Sequence, residues 1–157
     1  VIDHFLGEPE FITLDNTPAE YRNVFEDDGQ ARADPVMQHC KRHSVPIIWD
    51  QSTYTAVGQG DKWERQAGFG YRTGICLALH LPEGRHFVLG VDRDAPLPES
   101  PAELTRIVAD LQLFAVHAQE AAQQRYAVYQ QLAGVTVPQV EVADDAPRPL
   151  ADPDSEA

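Results

Sequence analysis

The feature that most constrains the fold is the segment 69–94, in which two apolar runs flank the short polar turn 82–85. Side chains of a strand point alternately to opposite faces, and two such runs around a turn predict a β-hairpin. Both runs are too continuously apolar for a sheet with one face in water. Other parts of the chain must therefore cover both faces, and a face that is not tightly covered would leave a pocket.

Helix and strand patterns elsewhere supply this cover. Ser100, Pro101 and Glu103 form a capping-box pattern, which predicts the start of a long helix. Asp34 before Pro35 predicts a second N-cap. Besides the hairpin we predict strands at 1–6, 11–14 and 44–50, helices at 18–28, 35–43, 63–67 and 101–133, and a loop at 51–60. This order predicts an α/β fold, an α/β/α sandwich whose central antiparallel sheet of about five strands has helices on both faces.

The long helix 101–133 closes the predicted domain, which spans 1–134. Its apolar residues recur at three- and four-residue spacing, interrupted only by Arg125: Leu104, Ile107, Leu111, Phe114, Ala118, Ala121, Tyr129 and Leu132. Residues 135–157 are rich in Pro, Asp and Ala and predict a disordered acidic linker. We expect the chain to be a trimmed piece of a longer protein, because it has no starting Met and a linker implies a following domain.

The charge balance limits the kinds of partner. With 25 acidic and 12 basic side chains the net charge is -13, which disfavours direct binding to a nucleic-acid backbone. Two cysteines make no disulfide framework and suit a reducing cytoplasm. No apolar run reaches the roughly 20 residues that a membrane span needs. We therefore expect a cytoplasmic protein that contacts DNA only through another domain.

Few residues suggest catalysis or metal binding. His39 and His43 are four apart on a predicted helix and could share a zinc ion, but Cys40 stands where the metalloprotease pattern needs Glu. A solvated helix face is the alternative. Cys76 is either a reactive thiolate or, more simply, a small buried side chain. No pairing of nucleophile and base emerges, so we expect no enzyme, no metal site and no cofactor.

Three residues fit a small-molecule site as well as a structural role. Asp34 could cap its helix with one carboxylate oxygen and accept a ligand N–H with the other. Trp49 and Trp63, the only tryptophans, could belong to the core or form the walls of a pocket.

The ordered motifs around these residues resemble the autoinducer-binding domain of LuxR-type quorum-sensing regulators. The likeness rests on Asp-Pro-Val at 34–36, Trp-Asp at 49–50 and Ala-Gly-Phe-Gly-Tyr-Arg-Thr-Gly at 67–74. Asp34 stands thirteen residues after Tyr21, and Trp49 stands fifteen after Asp34, which are the family's spacings. The resemblance covers about residues 1–132.

The resemblance implies a sandwich that holds an N-acyl homoserine lactone between the sheet and one helical layer. It implies a homodimer formed through the helix 101–133 and a C-terminal helix-turn-helix domain, absent from this chain, that binds DNA. The function we expect is therefore sensing of that lactone or a related small signal, which controls dimerisation and DNA binding. The alternatives are a ligand-independent dimerisation module and a sensor of a non-lactone signal.

The resemblance also implies roles for single residues. Asp34 would accept the ligand's amide N–H, and Trp49 would pack on the lactone ring while Trp63 lines the head-group end. Tyr21 replaces the family's usual Trp, which donates to the lactone carbonyl, and Thr17 replaces the usual Tyr, which donates to the acyl carbonyl. These two departures concern the identity of the ligand rather than the fold. The remaining implied contacts are Phe25 and Val36 on the acyl side, Cys76 on the strand, and Gly74 where the backbone approaches closely.

Overall fold

The computed structural model describes residues 13, 15–25 and 34–132, with the side chains of these residues except 23–25, 83 and 126–132. Its elements in chain order are α1 (Ala19–Phe25), α2 (Pro35–Arg42), β1 (Ile47–Trp49), α3 (Gln51–Thr55), α4 (Gly60–Ala67), β2 (Thr73–His80), the 3₁₀ turn Pro82–Gly84, β3 (His86–Arg93) and α5 (Pro101–Leu132).

The predicted hairpin is confirmed as the pair β2 and β3. The two strands are antiparallel, and β1 pairs with the other edge of β2, so the described sheet has the order β1-β2-β3. The turn between β2 and β3 closes when the Leu81 N–H donates to the Arg85 carbonyl at 2.8 Å. Gly84 has a φ of 71°, a backbone conformation that favours glycine.

One face of the sheet packs against the short helices α2 and α3. Its core combines Cys40 from α2 and Tyr54 from α3 with Trp49 and Cys76 from the sheet, and each of these residues is at most 5% exposed. Cys40 and Cys76 meet with their sulfur atoms 3.4 Å apart. This packing fixes α2 across β1 and β2.

The opposite face of β2 is buried as well. Ile75 and Leu77 alternate with the core residues just described, so they point to the other side, and they are 3% and 2% exposed. Helix α5 contacts β2, and its Ala115 is fully buried. Helices thus contact β2 from both sides, as the apolar hairpin required.

The described sheet has three antiparallel strands within a mixed helix and sheet fold. The predicted strands 1–6 and 11–14 lie outside the described residues, apart from Thr13, so a sheet of about five strands stays a prediction. The predicted linker 135–157 lies outside them too.

One detail of the sequence prediction is wrong. Within the predicted loop 51–60, residues 51–55 are helical, because Asp50 and Thr53 form a reciprocal capping box that starts α3. Phe114 belongs to the predicted apolar stripe, yet it is 58% exposed and the neighbouring Ala115 takes the buried position. Leu104, Ile107, Leu111 and Ala118 of the same stripe are partly buried, so most of the described stripe still faces the protein. None of the described helices combines the length and the apolar character that a bilayer crossing needs.

We expect Gly74→Ala to destabilise the chain by about 1–3 kcal/mol, because overpacking a filled site forces its neighbours apart. A Cβ at this position would lie 2.6 Å from Trp49 Nε1 and also contact the Asp92 carboxylate. The matched control is Gly90→Ala in β3, where the new Cβ would meet Cys76 Sγ at 3.9 Å, an ordinary contact. Urea denaturation should show a loss for the first variant and little change, or a small gain, for the second.

Candidate functional site

Asp34 joins three helices through both of its carboxylate oxygens. Oδ1 accepts the backbone N–H groups of Val36 at 2.9 Å and Met37 at 3.1 Å, so the predicted N-cap of α2 is confirmed. Oδ2 accepts the Tyr54 hydroxyl of α3 at 3.2 Å and forms an ion pair with the Lys62 ammonium of α4 at 2.8 Å. The oxygen that sequence analysis left for a ligand therefore already has two protein donors.

Trp49, Gly74 and Asp92 form one row across the three strands. Gly74 pairs with Trp49 on one side and with Asp92 on the other, so the three residues share a face of the sheet. Because Gly74 carries no side chain, the Trp49 indole and the Asp92 carboxylate meet above it, where the polar indole N–H favours the charged form of the carboxylate. The Trp49 ring is 4% exposed and packs edge-on against Tyr54, with ring centroids 5.7 Å apart.

The carboxylates of Asp92 and Asp34 lie in different electrostatic surroundings. Burial and the nearby Asp34 carboxylate raise the pKa of Asp92 to about 6, and only the bond from Trp49 opposes them. Lys62 balances Asp34, whereas Asp92 has no such ion pair with any Lys, Arg or His side chain that the structure describes. The site thus holds one balanced and one unbalanced carboxylate.

Tyr21 of α1 lies beside the same two carboxylates. Its ring packs against Phe69 and Tyr71, with centroids 5.5 Å and 4.7 Å away. Burial, followed by the charges of Asp92 and Asp34, raises the pKa of Tyr21 to about 12. The phenol therefore stays protonated at neutral pH and its hydroxyl can donate a hydrogen bond.

Thr17, also named by the resemblance, makes its described contacts at the start of α1. The Thr17 backbone N–H donates to Asp15 Oδ1 at 2.8 Å, and its hydroxyl bonds to the same carboxylate. Asp15 in turn pairs with Arg22 at 2.8 Å, so these contacts serve the start of α1. The Phe25 side chain lies outside the described part of the chain.

Val36, Trp63 and Cys76 belong to the core beneath the site. Val36 and Cys76 are buried, and Trp63 packs against them while its indole N–H donates to the Arg72 carbonyl at 2.9 Å. The bond with Cys40 and burial raise the pKa of Cys76 well above its usual range, which agrees with a buried thiol rather than a reactive thiolate.

The two histidines considered for zinc have other contacts. His39 Nε2 lies 2.7 Å from the Val45 carbonyl oxygen, and its ring packs on that of His43 with centroids 4.8 Å apart. Among the described side chains no group of three or more His, Cys, Asp or Glu is arranged to hold a metal ion.

Sequence analysis did not identify three residues of the site, namely Asp92, Tyr54 and Lys62. Tyr54 lies in the segment 51–60, for which the sequence predicts a loop. The signal that could identify it is the capping pattern of Asp50 and Thr53, which starts a helix there. The sequence signal for Asp92 is weaker, because it is a single acidic residue in the second apolar run. Strand register is what places it opposite Gly74.

Comparison with known proteins gives consistent matches. A family profile described as an autoinducer binding domain matches residues 2–122. The transcriptional activator protein AnoR of Acinetobacter nosocomialis is 26% identical over 69 residues, 44% of this chain and 29% of its own length. The transcriptional activator protein LuxR of Aliivibrio fischeri (strain ATCC 700601 / ES114) is 32% identical over 50 residues, 32% of this chain and 20% of its own. These matches span less than a third of each activator.

A solved structure agrees with these matches. It is an N-acylhomoserine lactone-dependent LuxR-family transcription factor, CepR2 of Burkholderia cenocepacia. It superposes with a TM-score of 0.54 and 25% identity, over 66% of this chain and 62% of its own.

The raised pKa of Asp92 predicts a pH-dependent effect of Asp92→Asn. Between about pH 4, near the usual carboxyl pKa, and about pH 6 the folded state keeps a proton that the unfolded state loses. The wild-type chain should therefore lose stability relative to the variant as pH rises through this window, with no further change above it. Urea denaturation at several pH values measures the difference, and parallel curves for the two proteins would contradict the assignment.

Proposed function

This chain belongs to the autoinducer-binding domain family, and we propose that it senses a small amphipathic signal, an N-acyl homoserine lactone or a related molecule. The observation that carries the proposal is that Tyr54 joins Asp34, through a hydrogen bond, to Trp49, through ring packing, beside an apolar core. A head group there would find hydrogen-bond donors and acceptors, while an acyl chain would be removed from water.

The proposed mechanism couples ligand binding to folding. A ligand that binds only the folded state stabilises it by mass action, and each Å² of apolar surface that it buries contributes about 25 cal/mol. Asp34 already links α2 to α3 and α4 through Tyr54 and Lys62, so a ligand that contacts this carboxylate acts on three helices at once. The small signal is the only ligand that we propose, with no cofactor.

We also propose a homodimer formed through α5. Leu113, Phe114 and Val116 are 63%, 58% and 51% exposed on this helix, and a second copy would remove them from water. The ligand would then control DNA binding by a separate C-terminal helix-turn-helix domain, since the acidic charge of this chain repels phosphates. The two free thiols are in keeping with a cytoplasmic location.

Thermal unfolding of the chain with a ligand panel tests the sensing proposal. The panel contains N-acyl homoserine lactones of short, medium and long acyl chain, alkyl pyrones and alkyl resorcinols. A binder at 100 times its Kd adds about 2.7 kcal/mol, so the Tm should rise by about 5–10 °C with at least one of them.

Asp34→Asn should abolish this rise in a variant that circular dichroism shows to be folded. Asp61→Asn removes the same charge from an exposed position of α4 and should keep the rise. No rise with any compound, from a folded wild-type chain, would contradict sensing and favour the ligand-independent dimerisation module.

Sedimentation velocity tests the dimer. Phe114→Glu places a charge among the exposed apolar residues of α5. It should raise the dissociation constant of the dimer by at least about tenfold, because an interface charge without a partner is costly. Gln112→Glu adds the same charge at a polar, exposed position two residues away and should have a smaller effect. A wild-type chain that sediments as a monomer with and without ligand would refute the dimer.

A further inference from the structure

Lys62 lies in the first turn of α4, and its side chain is directed into the site rather than into water. Its Nζ is 2.8 Å from Asp34 Oδ2, and the two side chains are 12% and 13% exposed. The Gln59 N–H donates to the Tyr54 carbonyl at 2.9 Å, and the Lys62 N–H donates to the Gln59 carbonyl at 3.1 Å. The ammonium therefore reaches Asp34 from a backbone position that is tied to the end of α3.

The helix itself does not account for a largely buried cation at this position. The N-terminus of a helix carries a partial positive charge, which disfavours a lysine in the first turn. A lysine side chain also ordinarily keeps its charged end in water. The ion pair with Asp34 is the contact that offsets both costs, so the reason for the position of Lys62 lies at the site.

All four acceptor positions of the Asp34 carboxylate have protein donors. A carboxylate accepts about four hydrogen bonds. Oδ1 accepts two backbone N–H groups, and Oδ2 accepts the Tyr54 hydroxyl at 3.2 Å and the Lys62 ammonium at 2.8 Å. Lys62 thus occupies the place on Oδ2 that a donor from a ligand would need.

A ligand N–H that approaches Oδ2 must displace one of these two donors. Displacing the ammonium would break a charge-assisted bond and take the anion from a largely buried cation. Displacing the Tyr54 hydroxyl would remove its acceptor while its ring, 3% exposed, stays packed against Trp49. A ligand that presents only acceptors at this point leaves all four bonds of Asp34 intact.

We propose that Lys62 is a specificity-determining residue: it occupies the oxygen of Asp34 that an amide N–H would need, so the site selects an acyl signal whose link to its head group carries no N–H, such as an ester or a ketone. The proposal rests on the sensing function proposed above and names the chemical class of its ligand. If Oδ2 had only the Tyr54 hydroxyl, an amide N–H would gain a charge-assisted bond that an ester oxygen cannot make. Lys62 removes that advantage.

Isothermal titration of the full 157-residue chain tests the proposal. The probes are an N-acyl homoserine lactone and the corresponding O-acyl ester of α-hydroxy-γ-butyrolactone, each with an octanoyl and a dodecanoyl chain. The two compounds differ only in that an ester oxygen replaces the amide N–H. The wild-type chain should bind the ester at least about threefold more tightly than the amide, because the amide N–H loses water without gaining an acceptor.

Two variants measure the contribution of Lys62. Lys62→Met keeps a long side chain without the ammonium, and Lys62→Ala removes the side chain and introduces a residue that suits a helix. Either variant opens one acceptor position on Oδ2, so the ratio of the two affinities should shift toward the amide by about tenfold or more. The matched control is Lys41→Met at an exposed position of α2, where the same change should leave the wild-type ratio.

The failures of the two proposals are distinguishable. If the wild-type chain binds the amide as tightly as the ester or more tightly, or if the folded Lys62 variants keep the wild-type ratio, the role of Lys62 is refuted and the sensing function stands. If neither probe binds the wild-type chain or a variant that circular dichroism shows to be folded, the role of Lys62 is also refuted. The sensing function fails with it only if the alkyl pyrones and alkyl resorcinols of the panel leave the Tm unchanged as well.

Discussion

Burial of β2 on both faces is the constraint on which the described structure depends. A central strand whose residues 74–78 are all buried needs a partner on each side, and here those partners are α2 with α3 on one face and α5 on the other. Cys40 packs against Cys76 on the first face, while Ala115 is buried with α5 on the second. The candidate site lies where this strand begins, at Gly74, and is built from the elements that the burial of β2 brings together.

Asp34 shows how closely the site and the fold are connected. A carboxylate that caps α2, accepts the Tyr54 hydroxyl and pairs with Lys62 contributes to the position of three helices before any ligand is considered. Such a residue is costly to replace, because its loss leaves a cap open and an ammonium without its anion. A signal that contacts it would change the stability of the same helices, which is a direct physical route from binding to regulation.

The second carboxylate has a different character. Asp92 contributes no cap and no ion pair among the described residues, and its pKa shows that the surroundings oppose its charge. Side chains with perturbed pKa values cluster at binding and catalytic sites. Tyr21, whose phenol stays protonated beside both carboxylates, completes a polar group above an apolar core.

The sequence by itself determined the local structure and the family. Two continuous apolar runs around a polar turn predicted the hairpin, Asp34 with Pro35 predicted the start of α2, and the spacing of Tyr21, Asp34 and Trp49 indicated the autoinducer-binding family. These signals are local or depend on residue order, so a sequence can carry them. The loop predicted at 51–60 is wrong over residues 51–55, because the capping box of Asp50 and Thr53 starts a short helix in this polar segment.

Only the tertiary structure decided which side chains share the site. Strand register sets Asp92 opposite Gly74 across the sheet, and a shift of one residue would have turned it to the other face. Helix packing brings Tyr54 and Lys62 to the second oxygen of Asp34, and it buries Ala115 rather than Phe114. Such contacts join residues far apart in the chain, and their geometry depends on how whole elements pack, which residue order alone does not specify.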